Sequence, residues 1–228
     1  MVENEGIIDE PIILTIAILG GTGNQGPGLA LRWANAGYRI IIGSRQEEKA
    51  QATADDLNEK LGSNFIRGMR NEEAAKNANI CVLTVVATAH QEALKNLKDV
   101  LQGKILIDIT VMVEFPNADV PSPPSAARIA QDILGDDVRV AAAFQNVPSH
   151  MLVLNLDESL DLDVLVFADN EETANEAMLL SEAGGMNAYY AGGLDKAIVA
   201  EGMTALLIEL NRRYGSKDGA LRITGIEK

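Results

Sequence analysis

The residues whose types and spacing carry the most chemistry are Gly21-Thr22-Gly23-Asn24-Gln25-Gly26, a G-x-G-x-x-G turn. It follows the apolar run at 14–19 directly and opens a helical pattern over 24–36 that stops at Gly37. In that context Gly21 permits the tight turn, Gly23 lets the backbone approach a pyrophosphate, and Gly26 lets helix and strand pack closely. The helix N-terminus adds free N–H groups and a partial positive charge, both of which favour phosphate. The turn therefore predicts a dinucleotide.

The end of the second apolar run predicts which one. NAD-preferring sites place an acidic residue about 20 positions after the turn, where it binds the ribose 2′-hydroxyl. Here Gly43-Ser44-Arg45 stands in that place, with Lys49 one helical turn on. Arg45 can fork onto a 2′-phosphate, Ser44 can donate a hydroxyl hydrogen bond, and Lys49 adds a second cation. Thr22, inside the turn, is placed to add another hydroxyl. The expected ligand is NADP(H).

The remaining candidates are lining residues. Strand carboxyl ends face the ligand crevice in such folds, which places Val85, Val86 and Ala87 there, at the end of the run at 80–86. These three can pack on a nicotinamide or simply wall the core. Asp108, at the end of the run at 104–110, is expected to hydrogen-bond at the strand end rather than act as a base. The segment Gln145-Asn146-Val147-Pro148 has the composition of a substrate-contacting loop. His90 and His150, the only histidines, have no partner at a fixed spacing and are read as structural or exposed. Neither metal-ligand spacing nor a nucleophile elbow is found. No metal and no catalytic acid or base is assigned.

Elements must position these residues, and their rhythm is clear. Short β-branched runs at 14–19, 39–43, 80–86, 104–110 and 138–143 alternate with helical patterns at 24–36, 46–61, 89–101 and 125–134. A weaker strand lies near Phe65-Ile66 and a short helix over 71–76. Strands separated by helices of this length form right-handed parallel βαβ units. The predicted fold is α/β, a Rossmann-type doubly wound parallel sheet with a smaller C-terminal α/β segment. That segment has a strand at 163–168, a helix at 171–183, a short strand at 188–190 and a largely apolar helix at 196–214. Such a helix needs burial, against the sheet or a partner subunit. The expected organisation is an extension at 1–11, an NADP-binding domain at 12–143, and a substrate or dimerisation part at 144–228.

Composition removes other functions. Nineteen basic and 33 acidic residues give a net charge of −14, a surface that repels nucleic acid and anionic membranes. No apolar run reaches the roughly 18 residues of a membrane span. The single cysteine, Cys81, lies in the apolar run Ile80-Cys81-Val82-Leu83 and reads as a small buried hydrophobe. With no intrachain disulfide available, a cytoplasmic location is expected.

The chain also resembles the NADP oxidoreductases that use coenzyme F420, an 8-hydroxy-5-deazaflavin. The resemblance rests on Leu19-Gly20-Gly21-Thr22-Gly23-Asn24-Gln25-Gly26 with Gly28-Leu29-Ala30, and on Gly43-Ser44-Arg45 with Glu48-Lys49-Ala50. It continues in Pro121-Ser122-Pro123-Pro124-Ser125-Ala126-Ala127 and in the tail Gly219-Ala220-Leu221-Arg222-Ile223, so that it runs from about 12 to 226. It implies reversible hydride transfer between C4 of the nicotinamide and C5 of the deazaflavin. It also implies a 2′-phosphate held by Thr22, Ser44, Arg45 and Lys49, and a deazaflavin near residues 145–148 and Gly219-Ala220. A homodimer is implied too, with small-molecule cofactors as the other partners. Where family members can carry Pro-Trp and a late-loop His, this chain has Val86-Ala87 and Gln145-Asn146.

Direct hydride transfer requires only that the two rings be held about 3–3.5 Å apart, so no catalytic side chain is expected. Two other readings are open at this stage. A reductase of a small imine or ketone would need a proton donor, with Lys196, Asp108 and His150 as candidates. A non-catalytic NADPH sensor would need none.

Overall fold

The computed structural model describes residues 14–113 and 118–226; the extension expected at 1–11 lies outside these. Its elements in chain order are β1 (Thr15–Leu19), α1 (Gly26–Asn35), β2 (Arg39–Ser44), α2 (Glu47–Leu61), β3 (Ile66–Arg70), α3 (Asn71–Lys76), β4 (Ile80–Leu83) and α4 (Ala87–Leu101). They continue with β5 (Ile105–Asp108), α5 (Ala126–Leu134), β6 (Arg139–Ala142), β7 (Asp163–Ala168), α6 (Glu171–Ala183), β8 (Asn187–Gly192) and α7 (Ala197–Tyr214). Eight strands form one sheet in the order β3-β2-β1-β4-β5-β6-β7-β8. The chain starts in the middle at β1, winds outward to β3, then crosses to β4 and winds the other way. The carboxyl ends of β1 and β4 flank this switch point, where doubly wound sheets bind ligands.

The central strands are apolar on both faces because both faces are covered. Ile16 and Ile18 of β1 and Ile40 and Ile42 of β2 pack with Leu29 of α1 and Ala50, Ala54 and Leu57 of α2. Ala17 and Leu19 face the other way, with Cys81, Leu83, Leu94 and Leu97. Cys81 is fully buried, and that burial pushes its thiol up to about 12.

The exception to the parallel rule is β7, which pairs antiparallel with β6 through Ala141↔Ala168 and Ala142↔Phe167. Between these strands the chain holds only a one-turn 3-10 helix, Met151–Val153. Parallel connections usually cross the sheet in a packed helix; this one has none, and β7 runs in the opposite direction. This places the start of β7 on the same edge as the carboxyl ends of the parallel strands. There Asp163 captures the tail: its carboxylate accepts from Ile223 N at 2.5 Å, and its own N–H donates to Leu221 O at 2.9 Å.

Candidate active site

The glycine-rich turn is built by exclusion. Gly20 sits at φ +74°, in the left-handed region. A Cβ on Gly26 would lie 2.2 Å from Gly21 O, and one on Gly21 would lie 2.6 Å from Ile18 O, so close packing alone demands both glycines. Gly23 is different. A Cβ there would meet nothing nearer than Gly20 O at 3.7 Å, and the residue is exposed. Protein packing does not explain this glycine, whereas a pyrophosphate on the backbone does. The residues present therefore fit a dinucleotide.

The turn is anchored from outside by Asn71, the first residue of α3, whose Oδ1 accepts from Gly20 N at 3.0 Å. At the end of β2, Ser44 is buried and its Oγ accepts from Gln46 N at 3.2 Å. Arg45 and Lys49 are exposed, and neither makes an ion pair among the described residues. In so acidic a protein, two cations with no ion pair among the described residues, beside the glycine-rich turn, are available for an anion.

The structure brings the candidate segments together through side chains. Gln25 of the turn donates from Nε2 to Val147 O at 2.9 Å, joining the turn to the late loop. His150 Nε2 contacts Asp218 Oδ1, joining that loop to the tail beside Gly219. Gly219 is itself held to α7, its N–H donating to Asn211 Oδ1 at 2.9 Å. Ala220 packs on the core. Pro148 is half-buried. Opposite, Val86 is 70% exposed at the start of α4, with Ala87 following it and Val85 partly buried beneath.

Gln145, Asn146 and Val147 are more buried than a contact loop suggests. Gln145 Nε2 donates to Asp108 O at 3.0 Å, and its Oε1 is buried with no partner among the described residues. Asn146 Nδ2 donates to Ala200 O at 2.7 Å and to Thr204 Oγ1 at 2.9 Å, fastening the loop to α7. The loop also leans on α1. The guanidinium of buried Arg32 donates to Leu152 O at 3.1 Å, Leu154 O at 2.5 Å and Glu158 O at 2.8 Å.

Below this rim lies a polar cluster whose pairing, and whose Glu201, sequence reasoning missed, although Asp108 was expected to hydrogen-bond at its strand end. His90 on α4 and Asp108 on β5 are fully buried and lie 2.6 Å apart. Asp108 Oδ1 also accepts from Thr110 N at 2.9 Å. Glu201 of α7, also buried, accepts from Met112 N at 2.9 Å and Ala126 N at 2.8 Å. Burial pushes its carboxyl above the usual glutamate range, against the pull of these two hydrogen bonds. One signal could have found Glu201: it is an isolated acid in the apolar stretch Ile198-Val199-Ala200-Glu201-Gly202-Met203. Nothing local links His90 to Asp108. Among the described residues no group of three or more His, Cys, Asp or Glu side chains could hold a metal.

The fold, the switch point and the glycine turn define a Rossmann-type dinucleotide-binding protein. Comparison with known proteins narrows the class. Residues 15–112 match the family described as NADP oxidoreductase, coenzyme F420-dependent. The chain is 39% identical over 225 residues to the F420-dependent NADP reductase of Methanocaldococcus jannaschii, covering 94% of this chain and 100% of that protein. It is 38% identical over 225 residues to the F420-dependent NADP reductase of Methanothermobacter thermautotrophicus, covering 94% and 97%. The chain belongs to the F420-dependent NADP reductase family. A crystal structure from Arthrobacter sp. FB24, assigned provisionally to the same reductases, shares the fold with a TM-score of 0.76 at 22% identity, over 93% of this chain and 100% of that one.

Proposed function

We propose that this protein catalyses reversible hydride transfer between NADP(H) and coenzyme F420. One observation carries the reading. The hydrogen bond from Gln25 to Val147 O makes the phosphate-binding turn and the late loop one continuous wall. The relatives, whose names specify F420 and NADP, supply the identity of the second ring.

The two cofactors supply the redox chemistry: a hydride leaves C4 of the nicotinamide for C5 of the deazaflavin, and a solvent proton balances the reduction. The chain supplies placement. Thr22, Gly23, Asn24 and Gln25 bring exposed backbone to the pyrophosphate, Gly21 and Gly26 let turn and helix pack closely beneath it, and Thr22, Ser44, Arg45 and Lys49 hold the 2′-phosphate. Val85, Val86 and Ala87 form one side of the ring cleft, with 145–148 and Gly219-Ala220 forming the other. No acid–base residue is assigned, which separates this reading from an imine or ketone reductase.

The protein acts as a cytoplasmic homodimer, with no nucleic-acid or membrane partner. No described helix is long and apolar enough to cross a membrane. Support for the dimer comes from α7, whose Val199, Leu206 and Leu210 are 51%, 56% and 40% exposed. With half-buried Met203 they recur at steps of four, three and four residues, the spacing of a helix–helix seam. Sedimentation of a Leu206→Lys, Leu210→Lys double variant should show a monomer, and an unchanged mass would remove α7 from the interface.

The activity is tested by mixing the protein with NADPH and oxidised F420 and following loss of the deazaflavin's visible absorbance. Rapid bleaching that NADH supports poorly is expected. Tight NADPH binding with F420 left oxidised would leave the dinucleotide site standing and refute the second ring.

A further inference from the structure

The described arginines divide into two groups. Arg128, Arg139, Arg212, Arg213 and Arg222 are ion-paired, and Arg32 is buried against carbonyls. The other four, Arg39, Arg45, Arg67 and Arg70, make no ion pair among the described residues, and all fall on β2, its end, or β3. Two of them reach the carboxyl edge of the sheet: Arg45, already placed at the 2′-phosphate, and Arg70.

Arg70 is directed to the same spot by register and by face. In the parallel β2–β3 pair, Ser44 is the partner of Arg70. Ile40, Ile42 and Ile66 share a core cluster with Ala50, Ala54 and Leu57 of α2. Strand alternation then puts Ser44 and Arg70 on that same face. Gly68, two residues before Arg70, lies hard against α2, since a Cβ there would come within 2.2 Å of Gln51 N. Arg70 therefore emerges beside the N-terminal end of α2, next to Ser44. Its backbone is held there by its neighbour, because Asn71 bonds Gly20 of the turn. Gly43 leaves room for this, as a Cβ there would lie 2.7 Å from Asn71 Oδ1.

Charge gives the reason for a third cation. The first turn of α2 carries Glu47 and Glu48, which offset Arg45 and Lys49 before any ligand arrives. A dianionic 2′-phosphate beside two carboxylates needs more positive charge than that pair leaves over. Arg70 is exposed, makes no ion pair among the described residues, and carries a fork that matches phosphate oxygens.

We infer that Arg70 is a third cationic ligand of the NADP 2′-phosphate, beside Arg45 and Lys49, and helps to set the preference for NADP over NAD. The inference rests on the dinucleotide site proposed above and does not depend on F420. Its test is direct titration of the unreacted protein with NADPH and with NADH, for wild type, Arg70→Gln and Arg70→Lys. Arg70→Gln should weaken NADPH binding roughly 10- to 100-fold, the range of a lost charge-assisted hydrogen bond. Its affinity for NADH should stay within about twofold, which also shows that the variant is folded. Arg70→Lys should keep part of the preference. Equal weakening of both nucleotides would overturn the assignment in favour of an adenine contact, and unchanged NADPH affinity would overturn it outright. A wild type that does not prefer NADPH would refute the 2′-phosphate site and this inference together. Failure of F420 reduction with the preference intact would refute only the proposed reaction.

Discussion

His90 Nε2 and Asp108 Oδ2 meet at 2.6 Å with both side chains completely withdrawn from water, and they bridge α4 to the end of β5. Removing one partner of a buried polar pair strands the other, at a cost of about 3–5 kcal/mol. Asp108→Ala should therefore lower the melting temperature by about 10 °C for a chain of this size. It should also loosen the hold of β5 on α4 and on Gln145. A melting temperature within about 2 °C of wild type would mean that the pair contributes little.

The second and third glycines of the motif should fail in different ways. Gly26→Ala forces a methyl to within 2.2 Å of Gly21 O, so the turn and α1 cannot keep their packing and stability should fall steeply. Gly23→Ala meets nothing inside 3.7 Å and should fold normally. Its methyl would occupy the surface on which the pyrophosphate rests, so NADPH affinity should drop by about tenfold or more. Thermal melts with and without NADPH separate the two: Gly23→Ala should melt like wild type alone and lose the ligand-induced increase. A normal increase would show that Gly23 is not at the pyrophosphate.

Arg45→Ala should raise the Michaelis constant for NADPH far more than that for NADH, because a fork onto the 2′-phosphate has nothing to hold in NADH. Steady-state rates with both nucleotides check this. Equal effects on the two would sink the assignment of Arg45.

Glu201 makes stability depend on pH in a defined direction. Its carboxyl is held above the usual glutamate range by burial, so the folded protein binds this proton more tightly than the unfolded chain does. The contribution is full below the unfolded value and is lost as pH rises through the folded one. Glu201→Gln has no such dependence, and its amide group would face the N–H of Met112 or Ala126, so it should be less stable throughout. The gap between wild type and variant should narrow as pH rises from the acid side of the glutamate range toward neutrality. Melting curves across that interval would contradict the account if the gap stayed constant or widened.

Cys81 should be silent toward thiol reagents. It is fully buried with its thiol pushed up to about 12, so almost no thiolate exists at neutral pH. Maleimide labelling should appear only on unfolding, and rapid labelling of the native protein would show that the centre of the sheet opens.

Much of the fold was legible because its signals are local. β1, β2, β4 and β5 are apolar runs buried on both faces, and Gly37 and Gly62 mark the ends of α1 and α2. The direction of β7 was not legible in that way. The connection between β6 and β7 has no packed helix, and an absence of periodicity is a weaker signal than its presence. The same division runs through the site. Gly21, Gly23, Gly26 and Arg45 sit in a contiguous motif and could be read from it. His90 and Asp108 are 18 residues apart on different elements, Asn71 reaches back 51 residues to Gly20, and Gln25 reaches 122 forward to Val147. Such pairings exist only once the sheet is assembled. Arg70 falls between these cases: its type was visible, but only the register with Ser44 gives it a purpose.

The three hydrogen bonds from Arg32 all end on main-chain carbonyls, those of Leu152, Leu154 and Glu158. A guanidinium that grips only backbone is indifferent to which side chains the gripped segment carries. The stretch after the late loop can therefore exchange residues over evolutionary time while following the same path beside α1. Gln25 holds the late loop in the same way, on the carbonyl of Val147, so this grip too is blind to the side chain it meets.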